Sequence, residues 1–282
     1  MTIVVFGEDL FTSAVTASLI EKGHAVKLLI TPYYDNNNFK VLEELASKNG
    51  IDLIRAEDVN SPAIKEILEK VKPDIIVSAH LRKILHKSIF SLAGKATINI
   101  HPSLLPKYRG LSPQHQALLH GDNESGVTVH YIDEDVDTGE IILQEKFDVA
   151  DEDYIINVQI KMLAIYKRIV ADAVSLIESG SVAPIQQQPD DVSYFGPLKK
   201  ADRQIDLSKS TKEIYNLIRA VSMPYKGAFC DKYTIWTAEI PEPPKQEELK
   251  LNYPAAGIYY NETNDEVIIR LKDGVLVSDD FE

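Results

Sequence analysis

Strands and helices alternate along the first hundred residues, and this alternation limits the possible folds more than any other feature. Short apolar runs lie at 3–6, 25–30, 51–54, 74–79 and 96–100. Helical patterns follow the first three runs; the third begins where Ser61 precedes Pro62. Such alternation predicts an α/β fold with a mostly parallel sheet. Ligands of these sheets bind beyond the carboxyl ends of the strands.

The second half of the chain has a different pattern. Two longer strands follow Gly126 and flank an acidic loop at 133–138, and a long helix runs from about Tyr154 to Ser179. Beyond a capping box made by Ser210 and Glu213, short strands alternate with turn residues, and 241–248 reads as a simple loop. We expect a Rossmann-like domain at 1–187, a linker at 188–197 and a small β-rich, OB-like domain at 198–282.

Composition excludes several classes of protein. The 282 residues are 44% hydrophobic and 26% charged, which is ordinary for a globular protein. No apolar run is long enough to span a membrane, and the first residues lack the features of a signal peptide. Cys230 is the single cysteine, which indicates a reducing cytoplasm. The net charge of −13 repels polyanions at long range, so a nucleic-acid partner is disfavoured.

Three residues at strand ends could carry chemistry together. Asn99 interrupts a β-branched run, and His101 projects from the same side because strand side chains alternate. A carboxamide there could stabilise an oxyanion, and an imidazole could move a proton. Asp137 lies in the acidic loop, where neighbouring carboxylates could raise its pKa. Taken alone, each residue could instead have a structural role. Asn99 could hydrogen-bond a neighbouring loop, His101 could be a structural histidine, and Asp137 could lie at a solvated hairpin tip.

Metal and dinucleotide sites fit the sequence poorly. Asp133, Asp135 and Asp137 match the first ligand positions of a calcium loop, but Thr138 replaces its glycine and Gln144 its final glutamate. The histidines lack zinc-binding spacing; they are His101, His115, His120 and His130, of which His115 and His120 are expected at a helix surface or in loops. We therefore expect no metal. The first loop, FGEDLFTSA, has no glycine-rich nucleotide-binding motif.

The loop after His101 contains Tyr108, Arg109 and Gly110. The guanidinium of Arg109 could pair with a substrate phosphate or with a carboxylate of the protein itself. The sequence leaves these two alternatives open.

Taken together, Asn99, HPSLLP at 101–106, YRG at 108–110 and DTG at 137–139 resemble the signature of the folate-dependent formyltransferase family. The similarity runs from about residue 1 to 185. It continues at 205–210 and 218–229, which resemble the C-terminal extension of methionyl-tRNA formyltransferases and nucleotide-sugar N-formyltransferases. Glycinamide ribonucleotide formyltransferases lack that extension.

The resemblance implies an enzyme that transfers a formyl group from 10-formyltetrahydrofolate, its co-substrate, to a primary amine without a metal. Asn99, His101 and Asp137 map onto the catalytic residues of the family. The folate would bind at the segment after the fourth strand and at the acidic loop, and the amine substrate near the YRG motif. These expected contacts are Leu81, Arg82, Lys83, Leu85, Asp133 and Asp135 for folate, and Tyr108, Arg109 and Gly110 for the substrate. A non-catalytic folate-binding protein would have lost Asn99 or His101.

The distribution of charge favours one of two candidate amine substrates, methionyl-tRNA and a nucleotide-linked amino sugar. The methionyl-tRNA enzymes carry a longer basic loop after the second strand, where this chain has TPYYDNNNFK at 31–40. From Asp190 onward there are 12 Lys or Arg against 17 Asp or Glu, whereas a tRNA-binding face needs a basic excess. We therefore favour an amino-deoxy sugar linked to a nucleotide, with methionyl-tRNA as the alternative. The resemblance further implies a homodimer in lipopolysaccharide or surface-polysaccharide biosynthesis, and the single cysteine indicates a cytoplasmic location.

Overall fold

The computed structural model describes residues 1–33 and 39–282. It divides into two compact units, each assembled from several segments. The first contains residues 1–111, 126–146 and 161–195, and the second contains residues 112–125, 147–160 and 196–282. None of the helices in the described part of the chain combines the length and apolar character needed to cross a membrane.

Seven strands form one sheet that lies largely in the first unit. The strands up to residue 195 are β1 (Thr2–Gly7), β2 (Ala25–Pro32), β3 (Asp52–Ala56), β4 (Ile75–Ala79), β5 (Ala96–His101), β6 (Arg109–Gly110), β7 (Glu124–Tyr131), β8 (Ile141–Asp148) and β9 (Tyr194–Phe195). The sheet order is β3-β2-β1-β4-β5-β7-β8. The first five strands pair in parallel and β7 is antiparallel to β5, which confirms the mostly parallel, Rossmann-like sheet.

The strand order reverses between β1 and β4. From β1 the chain continues to β2 on one side, and from β4 it continues to β5 on the other. In open α/β sheets such a switch point leaves a crevice at the carboxyl ends of the two strands, where ligands bind. A separate two-stranded pair, β6 with β9, lies outside this sheet, and β9 falls within the segment expected to be a linker.

The helices begin where the sequence supplies caps. They are α1 (Leu10–Glu21), α2 (Phe39–Asn49), α3 (Pro62–Val71), α4 (Lys87–Phe90), α5 (Pro113–His120), α6 (Ile155–Ser179), α7 (Thr211–Val221) and α8 (Pro243–Asn252). The Asp9 carboxylate accepts from two backbone N–H groups of the first turn of α1, and the Ser61 hydroxyl accepts from the first turn of α3. Apolar residues of β1, β2, β4 and α3, such as Phe6, Ile30 and Leu68, form a buried core beside the sheet.

The C-terminal strands form small antiparallel sheets. These strands are β10 (Ala228–Cys230), β11 (Tyr233–Ile235), β12 (Gly257–Asn261), β13 (Glu266–Arg270) and β14 (Val275–Ser278). The first two pair as a hairpin and the last three form a sheet, with isolated bridges from Ile235 to Phe281 and from Glu239 to Val277, so the small β-rich C-terminal region is confirmed.

Two local expectations in the second unit are wrong. The stretch 241–248 is not a simple loop, because α8 begins at Pro243; proline suits the first turn of a helix, and Lys, Gln, Glu and Leu then favour helix. His115 is not at the surface but is buried, with Nδ1 2.7 Å from the carbonyl oxygen of Ala220. The capping box of Ser210 and Glu213 is confirmed at the start of α7.

A buried arginine organises the second unit. Arg219 on α7 is 2% exposed, and its guanidinium donates to the carbonyl oxygens of Ala150 and Asp153 and to the amide oxygen of Asn216. These bonds connect α7 with the segment that precedes α6.

We predict that Arg219→Ala lowers the free energy of unfolding by about 3 kcal/mol, because charge-assisted bonds to buried carbonyls are lost together with packing. Denaturant unfolding measures the change. Lys209→Ala, which removes an exposed ion pair with Glu213, is the control and should have little effect. If Arg219→Ala lowers the free energy of unfolding as little as the control does, Arg219 does not stabilise the second unit in this way.

Candidate active site

Strand register brings a polar cluster together at the carboxyl end of β5. Asn99 and His101 lie on the same face of β5, and Asn99 is paired directly with His130 of β7. After β7 the chain turns through the acidic loop, which returns Asp137 to the end of β5. The structure therefore brings the three expected catalytic residues together and adds a second histidine.

The Asp137 carboxylate lies at the centre of this cluster. Asn99 Nδ2 is 3.3 Å from Asp137 Oδ1, and His101 Nδ1 is 3.5 Å from Oδ2. His130 Nε2 is 3.1 Å from Asn99 Nδ2 and 3.5 Å from Asp137 Oδ1. An amide donor and two imidazoles thus surround one carboxylate.

Hydrogen-bond logic assigns the histidine tautomers. Nε2 of His101 is 2.9 Å from the carbonyl oxygen of Tyr108, which can only accept, so Nε2 carries the hydrogen. The lone pair of neutral His101 is then on Nδ1, on the side of Asp137. Nδ1 of His130 is 2.7 Å from the carbonyl oxygen of Tyr131, so the lone pair of neutral His130 is on Nε2 and accepts from Asn99.

The tautomer of His130 fixes the orientation of the Asn99 amide. Both His130 Nε2 and Asp137 Oδ1 are acceptors, so the amide nitrogen of Asn99 must face them. The 3.3 Å contact with Asp137 is the longer of the two and the easier to redirect towards a new negative charge.

Two opposite pKa shifts result from this environment. Burial alone would raise the pKa of the Asp137 carboxyl, but the His101 and His130 rings, in their protonated forms, and the 2.9 Å bond from the Gly110 N–H hold that pKa well below its usual range. Burial lowers the pKa of His101, and the Asp137 carboxylate opposes this only partly. An ionised carboxylate therefore faces a neutral imidazole. The neighbouring acidic residues do not raise the Asp137 pKa, contrary to the sequence-based suggestion.

The YRG motif holds this loop in place from the other side. Arg109 is buried, and its guanidinium donates to the side-chain oxygens of Gln187 and Tyr194, so its partners here are neutral rather than carboxylates. Gln187 in turn donates to the carbonyl oxygens of Asp137 and Gly139, at 2.9 and 2.8 Å. Arg109 is thus linked to the Asp137 loop through one glutamine.

Sequence reasoning missed His130 and Gln187 as members of the site. His130 could be noticed as a histidine within an otherwise apolar strand, but its pairing with Asn99 depends on the β5–β7 register. Gln187 belongs to a run of three glutamines, and nothing in that run distinguishes it.

The two segments expected to contact folate lie near each other. Leu81 and Leu85 pack on the hydrophobic core after β4, Arg82 pairs with Glu8, and Lys83 is exposed. Lys87, just beyond this segment, forms an ion pair with Glu134 of the acidic loop. In that loop Asp133 accepts from the Thr138 hydroxyl at 2.6 Å, and Asp135 is exposed. Within residues 1–33 and 39–282, no three His, Cys, Asp or Glu side chains are arranged so that they could hold a metal ion.

Sequence comparison identifies the family in two parts. The family described as "Formyl transferase" matches residues 1–174, and "Formyl transferase, C-terminal domain" matches residues 197–280. The family predicted from the sequence motifs is thereby confirmed.

Comparison with solved structures supports the same fold. The sugar 3N-formyl transferase WlaRD, solved with dTDP and 5-N-formyl-THF, is 20% identical and superposes with a TM-score of 0.76, covering 99% of this chain and 97% of that chain. An N-formyltransferase from Helicobacter canadensis, in complex with folinic acid and dTDP-3-aminofucose, is 20% identical over 99% of both chains with a TM-score of 0.75. Glycinamide ribonucleotide transformylase 1 from Symbiobacterium toebii is 28% identical, covering 64% of this chain and 88% of that chain with a TM-score of 0.56.

Because the first family match covers more than half of the sequence, this chain belongs to the formyl transferase family.

Proposed function

We propose that this protein transfers the formyl group of 10-formyltetrahydrofolate to the primary amine of an amino-deoxy sugar linked to a nucleotide. The observation that carries the proposal is the arrangement of Asn99, His101 and Asp137 around one point at the carboxyl end of β5. The family match gives the class of reaction, and two relatives with the same fold were solved with folates together with dTDP or a dTDP-amino sugar.

The geometry suggests a role for each group. Neutral His101 accepts a proton at Nδ1, and the Asp137 carboxylate stabilises the imidazolium that results. As the formyl carbon becomes tetrahedral, its oxygen gains negative charge. The Asn99 N–H that contacts Asp137 at 3.3 Å turns towards that oxygen. His130 is a positioning residue, because it keeps the amide nitrogen of Asn99 directed into the site.

Folate binding is proposed for the segment 81–85 together with the acidic loop 133–137. The Lys87–Glu134 ion pair supports this, since it places the chain just after 81–85 beside the acidic loop. We propose that Tyr108, Arg109 and Gly110 act on the sugar side mainly by shaping the loop, since the Arg109 guanidinium already has partners within the protein.

Charge supports a small-molecule amine over tRNA. The acidic excess from Asp190 onward provides no electrostatic attraction for a polyanion. The segment 31–40 is shorter and less basic than the corresponding loop of methionyl-tRNA enzymes, which also disfavours tRNA. Residues 34–38 of this segment lie outside the described residues. A homodimer, a cytoplasmic location and a place in lipopolysaccharide or surface-polysaccharide biosynthesis stay predictions of the family resemblance.

The substrate assignment predicts a clear preference in a direct assay. The purified protein is given 10-formyltetrahydrofolate with a panel of dTDP- and UDP-linked amino sugars, and separately with charged initiator tRNA. We expect one or more amino sugars to gain a formyl group by mass spectrometry while the tRNA stays unmodified. Formylation of the tRNA alone would show that the substrate assignment is wrong.

The catalytic assignment predicts large losses in turnover. Asn99→Ala, His101→Ala and Asp137→Ala should each lower kcat by about 100-fold or more, because each removes a proton acceptor, its counter-charge or an oxyanion donor. Thermal unfolding of each variant checks that it is folded. A folded variant with near-normal kcat would remove that residue from the mechanism.

The position of Gln187 predicts an effect at a distance from the reacting atoms. Gln187→Ala should lower kcat roughly tenfold to 100-fold, because the Asp137 loop loses two hydrogen bonds and small displacements of catalytic groups are costly. Gln186→Ala is the matched control, since Gln186 bonds the exposed Glu140. Equal kcat values for the two variants would exclude the proposed support of Asp137.

A further inference from the structure

A second cluster of charged groups lies at the switch point between β1 and β4. Glu8 and Asp9 follow β1, and His80 and Arg82 follow β4. Glu8 pairs with Arg82, and His80 Nδ1 lies 2.5 Å from Asp9 Oδ2. The crevice where ligands of such sheets bind is therefore lined by two acids and two bases.

His80 is close to the site built around His101. The parallel pairing of β4 with β5 ends at Ala79 and Ile100, so His80 and His101 are the next residues on adjacent strands, which run about 4.8 Å apart. Their electrostatic interaction is large enough to contribute to the lowered pKa of His101.

The backbone of His80 is strained. Its φ is +55°, in the left-handed region that non-glycine residues rarely adopt. Two other residues of the site, Tyr108 and Asp137, share this feature with φ of +63° and +55°. Backbone strain of this kind persists where the surrounding structure enforces it, and it concentrates at functional sites.

The two imidazoles differ in their access to solvent. His101 is buried, and both of its ring nitrogens face protein groups. The His80 side chain is 25% exposed. Its Nδ1 is buried 2.5 Å from Asp9 Oδ2, so the exposed part of the ring lies away from that nitrogen. A carboxylate can only accept, so a neutral His80 ring facing Asp9 carries its hydrogen on Nδ1 and its lone pair on Nε2.

The proton balance of the proposed reaction requires two acceptors. An ammonium, R–NH3⁺, becomes R–NH–CHO, so the nitrogen gives up two protons while it forms the bond to the formyl carbon. One proton ends on N10 of the folate, where an N–H bond forms as the bond between N10 and the formyl carbon breaks. The other proton is released to solvent. A proton accepted by His101 cannot pass through the imidazole to water, because both ring nitrogens face protein groups. His101 is therefore suited to deliver that proton to N10.

We propose that His80 is a second catalytic residue, an assignment that rests on the proposed function. Its Nε2 accepts the first proton of the substrate ammonium and releases it to solvent. Asp9 is the positioning residue for His80. The neutral amine then attacks the formyl carbon. His101 accepts the second proton and passes it to N10 as the tetrahedral adduct collapses.

Charge in the crevice agrees with this assignment. Asp9 Oδ1 accepts from the N–H groups of Phe11 and Thr12, so the start of α1 has fewer free donors for a phosphate. Glu8 is buried beside it, and its carboxylate pairs with Arg82. The Asp9 carboxylate at the start of α1 therefore suits a cationic amine better than the diphosphate of a nucleotide sugar.

The surroundings of His80 also set its basicity. Burial lowers the pKa of His80, but the attraction of Asp9 outweighs burial, so the pKa lies above the ordinary value for histidine. His80 is thus the stronger base of the two imidazoles. The titratable and charged groups that face or influence His80 are Asp9, Glu8, Arg82 and His101; Tyr166 of α6 is buried near Asp9.

Two variants test the proposal without disturbing the backbone. His80→Asn removes the basic nitrogen, and asparagine tolerates a positive φ. Asp9→Asn keeps the Oδ1 cap of α1 and replaces the acceptor that faces His80 by a donor, which moves the lone pair to Nδ1. His86→Asn is the matched control, because His86 is exposed and makes no side-chain cap bond.

We expect His80→Asn to lower kcat/KM about 100-fold and His86→Asn to leave it within about twofold. In Asp9→Asn kcat/KM should also fall, by about tenfold or more, because the neutral His80 ring then carries its hydrogen on Nε2 and its lone pair faces the new amide. NMR titration of the free protein should show a lower pKa for the His80 ring, because the ring has lost its counter-charge.

A wild-type kcat/KM in His80→Asn would overturn the proposal, and so would a wild-type kcat/KM together with an unshifted His80 titration in Asp9→Asn. If His80→Asn does not fold, Asp9→Asn carries the test. The assays use whichever amine the wild-type enzyme formylates, nucleotide amino sugar or charged tRNA. Failure of the substrate assignment is therefore distinguishable from failure of the His80 assignment.

Discussion

A buried, ionised carboxylate at Asp137 is the group on which the rest of the site depends. A buried negative charge is costly unless hydrogen-bond donors surround it. Here the donors come from the Gly110 backbone and the Asn99 amide, while His101 and His130 lie at 3.5 Å. The carbonyl groups of Tyr108 and Tyr131 orient the two histidine rings, and His130 orients the Asn99 amide, so that all three side chains face the Asp137 carboxylate.

Two further side chains, one behind the other, hold the Asp137 loop in place. Gln187 holds the carbonyl groups of the Asp137 loop, and Arg109 holds Gln187. Gly139 lies where any side chain would collide, since a Cβ there would come 1.8 Å from the carbonyl oxygen of Tyr131. The YRG and DTG motifs therefore act partly as structural support for one another.

Much of this arrangement could be predicted from the sequence. Strand alternation places Asn99 and His101 on one face, and the Rossmann-like order follows from the alternation of strands with helices. His130 and Gln187 could not be predicted in the same way, because their roles depend on strand register and on a return of the chain across nearly fifty residues. The helix at Pro243–Asn252 was missed because its prolines and charges read as a loop.

The proposed reaction requires the amine and the formyl carbon to meet beside Asn99, His101 and Asp137. A crystal structure with 5-formyltetrahydrofolate and a nucleotide-linked amino sugar would show where both ligands bind. We expect the amine nitrogen within hydrogen-bond distance of His101 Nδ1 or of His80 Nε2, with the formyl group beside Asn99. Binding of both ligands away from the carboxyl ends of β4 and β5 would rule out this mechanism.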